Sequence, residues 1–233
     1  MRRTQNRPVA KNIISKQTGG FISAGLALWS VGLYTQLANP SAMFVASSIW
    51  ILYWLVYTPL KRISIYNTFV GAVIGSMPPL IGTCAQLGTL FTPETLLLSA
   101  YIFSWQYPHF YGILYENRYD YKKAGYEMLS NYDKDGSRAT RHINISSVIA
   151  LTTPIGMAYT GLMSPIVLPF YYWLYSQSLK AVAEFSRNWN EQNAKRIKIK
   201  SYSPFFVLLA GIYSTIIYKK LTGKQNISSN ATS

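Results

Sequence analysis

The chain has 233 residues, 49% of them hydrophobic and only 13% charged, against about 25% charged in an ordinary soluble domain. That shortfall excludes a fully water-exposed surface, while a mean hydropathy of only +0.10 requires sizeable polar loops. The formal charge of +14 points to anionic lipid or to a polyanionic substrate such as a diphosphate. Nucleic acid is set aside, because the cations alternate with long apolar runs and do not form one stripe.

The first residues, Met1-Arg2-Arg3-Thr4-Gln5-Asn6-Arg7-Pro8, are basic, and no apolar stretch precedes Lys16, so they do not read as a secretory signal. Crossing the hydrocarbon takes about 20 residues of helix. Seven segments qualify or nearly qualify: 18–37, 41–58, 67–86, 93–114, 142–162, 164–184 and 203–219. The third carries Gly71 and Gly75, a spacing that allows close helix approach, and Pro78-Pro79, which should kink it. The fourth carries Gln106, Pro108 and His109; polar groups at that depth face a bundle interior. A lone Cys84 permits neither a disulfide framework nor a thiolate metal site. The expected architecture is all-α, a multi-spanning helix bundle over 1–221, with a disordered tail at 222–233.

Assigning the loops to alternating sides places 1–17, 59–66, 115–141 and 185–202 together. Of the 22 basic residues, all but Lys219, Lys220 and Lys224 then fall on that side, counting Lys180 near the end of the sixth segment. Hydropathy alone set the alternation, so the segregation of charge checks it independently, and the basic loops read as cytoplasmic or matrix-facing. These loops are also the long, polar, aromatic ones, so a working site is expected at their end of the bundle.

Two of these loops hold chemistry-bearing residues. In Tyr57-Thr58-Pro59-Leu60-Lys61-Arg62, adjacent cations at a membrane interface suit a phosphate-rich ligand, Lys as a point charge and Arg as a bidentate fork. Ordinary flanking cations of a membrane helix are the alternative. In the second loop, Glu116 and Asp120 are four apart and share a face if the helix continues. Two such carboxylates could hold Mg²⁺, with Arg118 and Lys122 beside them for diphosphate. A salt-bridged, solvated helix end is the alternative there. His109 reads as a hydrogen-bonded interior group or as a heme-directed imidazole.

Taken together, these residues resemble the heme O synthases, the protoheme IX farnesyltransferases of the UbiA-type prenyltransferase superfamily. The markers are Arg3-Thr4 with Asn6-Arg7-Pro8, Thr58-Pro59-Leu60-Lys61-Arg62, Asn67-Thr68, Pro78-Pro79, Ser104-Trp105-Gln106, Pro108-His109-Phe110 and Asp120-Tyr121 with Gly125 and Met128. They run in order from residue 1 to about 135, and the Thr-Pro-Leu-Lys-Arg form resembles the mitochondrial branch. The resemblance implies a UbiA-type bundle in the mitochondrial inner membrane, with its basic loops on the matrix side. It implies Mg²⁺ and farnesyl diphosphate held at those loops, heme B as the acceptor, and a heme A synthase or a second copy of the chain as protein partner. By that likeness Asp120, Arg118 and His109 have catalytic roles, Lys61, Arg62, Lys122 and Arg7 bind diphosphate, and Asp120 binds metal. Glu116 joins the metal set only by its own spacing, since Tyr119 stands where the family reads Glu. In relatives a first acidic motif and two helices precede the position of Met1, so the resemblance implies a chain without that N-terminal quarter. A related aromatic or quinone-precursor prenyltransferase, and a catalytically incompetent truncated copy, are the alternatives.

Overall fold

A computed structural model describes residues 4–37 and 39–223. Arg2, Arg3, Lys224 and the expected tail beyond 223 lie outside the described residues. Nine helices run through the described part: α1 (Lys16–Leu37), α2 (Pro40–Leu60), α3 (Asn67–Ser76), α4 (Pro78–Leu87), α5 (Pro93–Glu116), the short α6 (Arg118–Lys123), α7 (Ser137–Tyr159), α8 (Leu168–Arg187) and α9 (Glu191–Leu221). No strand occurs among the described residues.

The kink expected at the proline pair is there. Pro78 opens α4 directly after Met77 caps α3, since a proline ring clashes with the preceding turn and donates no N–H. A second irregularity was not expected. Pro59 cannot donate back along α2, and Leu52–Tyr57 widen into a π-helical turn in which Thr58 Oγ1 donates to the Tyr53 carbonyl at 2.8 Å. Elsewhere polar caps set helix starts: Asn39 accepts from Ala42 N–H at 2.9 Å and Asn190 from Asn193 N–H at 2.8 Å.

Three helices are long and apolar enough to cross a membrane by length and composition: Pro40–Leu60, the kinked pair Asn67–Leu87, and Glu191–Leu221. The other four expected spans, in α1, α5, α7 and α8, have the length but not that apolarity. Several of their hydroxyls bond to carbonyls within the bundle. Ser146 and Ser147 both donate to the Ile143 carbonyl at 2.8 Å, and Tyr171 Oη donates to the Ala150 carbonyl at 2.7 Å. Helix α9 starts twelve residues before the expected span, because its charged first turns, Glu191 to Lys200, are helical without being apolar.

Helix α5 is the hub, packed against α3, α7 and α9. At the loop end, Tyr115, Leu114, Ile143, Phe185 and Ile197 form one buried cluster; at the far end Tyr101, Met157, Met163, Tyr171 and Leu208 form another. Apolar side chains also point outward. Phe21 is 80% exposed and Leu28 75%, as befits a helix facing lipid.

Close approach explains the glycines. A Cβ at Gly71 would meet the Tyr57 ring at 2.8 Å, and one at Gly75 would overlap the Gln106 side chain. Gln106 does face the interior, its Nε2 donating to the Ala72 carbonyl at 2.9 Å. At Gly112 a Cβ would lie 2.8 Å from the Ala194 carbonyl and from the Lys198 amide nitrogen, both backbone atoms of α9. Gly112→Ala should therefore push α5 from α9 and lower stability by about 1–3 kcal/mol. Thermal unfolding in detergent checks this, and an unchanged midpoint would show that the contact yields.

Candidate active site

The four basic loops converge at one end of the bundle. The Glu127 amide donates to the Lys61 carbonyl at 2.8 Å, and Asn67 Nδ2 donates to the carbonyls of Ser64 at 2.6 Å and Glu127 at 2.8 Å. Segments 59–66 and 115–135 are thus stitched directly together. The Arg118 guanidinium lies 4.4 Å from the Trp189 ring, which joins the 115–135 segment to the turn between α8 and α9. At the opposite end, Lys219 Nζ donates to the Gly161 carbonyl at 2.7 Å and Asn39 Nδ2 donates to the Cys84 carbonyl. The division of loops into two sides expected from hydropathy is met in the geometry.

A cavity of about 740 Å³ opens at the loop end, a volume within the range of small-molecule sites. Arg7, Lys16 and Lys61 supply its charge, from the N-terminal segment, the start of α1 and the turn after α2. Its apolar wall includes Phe110, Ile113 and Leu114 of α5. Four tyrosines complete it: Tyr53, Tyr57, Tyr121 and Tyr126. The π-helical turn sets Tyr53 and Tyr57 with ring centroids 5.3 Å apart. Lys61 Nζ lies 4.0 Å from the Tyr57 ring and 5.7 Å from Tyr53, so the two faces hold the ammonium at the cavity wall. Sequence reading missed these tyrosines; the i, i+4 spacing of Tyr53 and Tyr57 before a proline was the available signal.

The expected site residues divide. Arg7 and Lys61 line the cavity. Asp120 is half-buried on α6, next to the cavity-lining Tyr121. Arg62 and Lys122 are exposed and do not line the cavity, Arg62 lying 6.0 Å from the Tyr126 ring. One nitrogen of Arg118, Nη1, is buried with no hydrogen-bond partner among the described residues. His109 is packed between α5 and α9, its ring stacked 4.9 Å from Trp105 and its Nδ1 3.5 Å from Ser201 Oγ, and it does not line the cavity.

Glu116 and Asp120 do not share one helix face. The helix breaks at Asn117, whose backbone leaves the helical region and whose Nδ2 donates to the Ile113 carbonyl at 2.9 Å. Glu116 pairs instead with Lys198 of α9. Among the described residues there is no group of three His, Cys, Asp or Glu side chains that could hold an ion, and those lining the cavity include no carboxylate. The residues present fit a polyanion and do not by themselves fit magnesium.

A further acid with a defined place is Asp133, 3% exposed. It accepts from Tyr115 Oη, from the Arg138 amide at 3.1 Å and from the Ala139 amide at 2.9 Å, so it closes the start of α7 onto α5. Nearby, the Glu127 carboxylate accepts from Tyr132 Oη at 2.5 Å and holds that phenol above its usual pKa.

Curated proteins named protoheme IX farnesyltransferase, mitochondrial, are similar to this chain. One from Emericella nidulans is 32% identical over 180 residues, covering 70% of this chain and 35% of its own length. One from Homo sapiens is 37% identical over 157 residues, 66% of this chain and 35% of its own. A protoheme IX farnesyltransferase from Flavobacterium johnsoniae is 38% identical over 178 residues, covering 75% of this chain and 58% of its own. The chain thus spans about a third of the length of the mitochondrial relatives that it matches. No solved structure matches it. Residues 1–210, most of the chain, match the UbiA prenyltransferase family, and the chain belongs to that family.

Proposed function

We propose that this chain binds farnesyl diphosphate in the cationic cavity and serves the transfer of its farnesyl group to a vinyl group of heme B, giving heme O. The observation that carries this reading is the convergence of Arg7, Lys16 and Lys61 on one aromatic-walled cavity. The C–O bond to diphosphate breaks, the vinyl carbon attacks the allylic cation, and water adds to the resulting cation with loss of a proton. The three side chains meet the negative charge that develops on the leaving diphosphate. With Tyr53 and Tyr57 facing the Lys61 ammonium, the rings of Tyr121 and Tyr126 are left to favour the allylic cation, and the apolar wall keeps water from it until the new C–C bond has formed. The names of the curated relatives support heme as acceptor. The word mitochondrial in those names supports a mitochondrial membrane, and the positive-inside rule favours the inner membrane with the basic loops facing the matrix. Heme O so made would supply heme A for cytochrome c oxidase.

The test is heme O extracted from cells that lack this activity and express the chain, with a quinone precursor offered as the competing acceptor. No heme O, or prenylation of the quinone precursor alone, would overturn the reading. Lys61→Ala should raise KM for farnesyl diphosphate about tenfold, the loss of roughly 1.4 kcal/mol from one charge-assisted contact. An unaltered KM would remove Lys61 from the diphosphate site.

A further inference from the structure

A second hollow, of about 480 Å³, lies between α3, α5 and α7. Its wall is formed mainly by Phe69, Phe103, Tyr107, Ile145 and Ile149. Phe69 is 51% exposed and Ile145 62%, so the hollow is an open groove along the side of the bundle rather than a sealed cavity. Two of its polar lining groups, Tyr111 Oη and His142 Nδ1, lie 2.6 Å apart. His142 is also the lining residue of α7 nearest the loop end.

Two exposed arginines stand beside it, and the carboxylates of Asp133 and Asp135 are turned to backbone amides at the start of α7, Asp133 to Arg138 at 3.1 Å and Asp135 to Ser137 at 3.2 Å. On α7, Arg138 stands one turn before His142, and Ile145 and Ile149 follow at +7 and +11. One helical stripe therefore runs from a guanidinium through an imidazole onto the apolar wall. Arg141 adjoins His142, and both arginine side chains are exposed and unpaired with carboxylates among the described residues. Tyr66, 68% exposed, caps α3 and also lines the groove, in the position where tyrosines sit at a membrane interface.

We infer that this groove is a binding site for one anionic diacyl phospholipid, an acyl chain lying along Phe69, Phe103 and Ile149 and the phosphate meeting Arg138 and Arg141. The occupant follows from complementarity. A lateral apolar groove with cations at its loop end matches a molecule whose charge sits at the interface and whose tail points into the hydrocarbon. Among the described residues, the buried Thr68 lines both the groove and the cationic cavity. A tail of the diphosphate substrate is therefore the competing occupant, and the experiment separates the two.

Native mass spectrometry of the delipidated chain in detergent, with phosphatidylglycerol and phosphatidylcholine of identical acyl chains, reads the preference. About tenfold tighter binding of phosphatidylglycerol is expected from two cations at the surface. The double variant Arg138→Gln/Arg141→Gln should lose that preference. Ile145→Trp, which fills the groove, should weaken both lipids and provides a second reading if the charge variant does not fold. Equal binding of the two lipids by the unmodified chain overturns the proposal, as does a preference that survives the double variant. Displacement of phosphatidylglycerol by equimolar farnesyl diphosphate also overturns it, in favour of a channel for the prenyl tail.

Discussion

Replacing Asp133 by Ala should destabilise the protein by about 3–5 kcal/mol, more than any other single change considered for the loop end. The carboxylate is buried and accepts from two backbone amides at the start of α7 and from Tyr115 Oη on α5. Alanine removes the acceptor and leaves those donors without partners, since the side chain is shielded from water. Charge-assisted bonds are the strong ones, and an orphaned buried donor costs more than the bond it lost was worth. In a chain of this length the midpoint of thermal unfolding should fall by roughly 10 °C. Asp133→Asn keeps one carbonyl acceptor and should lose about half as much. A full-strength melt for Asp133→Ala would show that α7 starts independently of that carboxylate.

The second large effect is expected at Asn67, which is 2% exposed and lines the cationic cavity. Its one amide nitrogen bridges the Ser64 and Glu127 carbonyls, beside the direct bond from the Glu127 amide to the Lys61 carbonyl. Asn67→Ala removes two buried bonds at once and should cost about 2–4 kcal/mol. The seam between the Lys61 turn and the 115–135 segment should also open, moving Tyr121, Tyr126 and Met128 away from Lys61. Hydrogen exchange at the Glu127 amide reads this directly, with protection in the parent and its loss in the variant. Asn67→Asp keeps the shape, deletes both donors and places a negative charge in a cationic cavity, so it should weaken diphosphate binding further than alanine does. Unchanged exchange at Glu127 would show that other contacts hold the seam.

Much of this site was legible because its residues act through sequence-local chemistry. Lys61 follows a Thr-Pro-Leu turn at the end of an apolar segment, and that order alone puts an ammonium at an interface. Gln106 in an apolar run had to face a partner, and it does. What failed was reach across a helix end. The spacing of Glu116 and Asp120 implied a shared face, but Asn117 ends α5 between them, and Lys198, 82 residues away in sequence, takes Glu116. His109, readable as an interior hydrogen-bonding group or as a heme-directed imidazole, takes the interior place, stacked on Trp105 with its Nδ1 3.5 Å from Ser201 Oγ. Nothing local in the sequence marks Asp133, since only the fold closes Tyr115 and the start of α7 over it.

Alternation of apolar runs with basic loops determined, from sequence alone, that this is a helical membrane bundle with its cations at one end. Burial of about 20 apolar residues in hydrocarbon is a local property of each segment, and charge is carried poorly across a bilayer. Which cations share a cavity, which carboxylate is bound to a lysine and which aspartate anchors a helix were decided only by packing. Those outcomes depend on contacts between residues tens of positions apart, where a turn of one helix or a break of one residue redirects a side chain to a different neighbour.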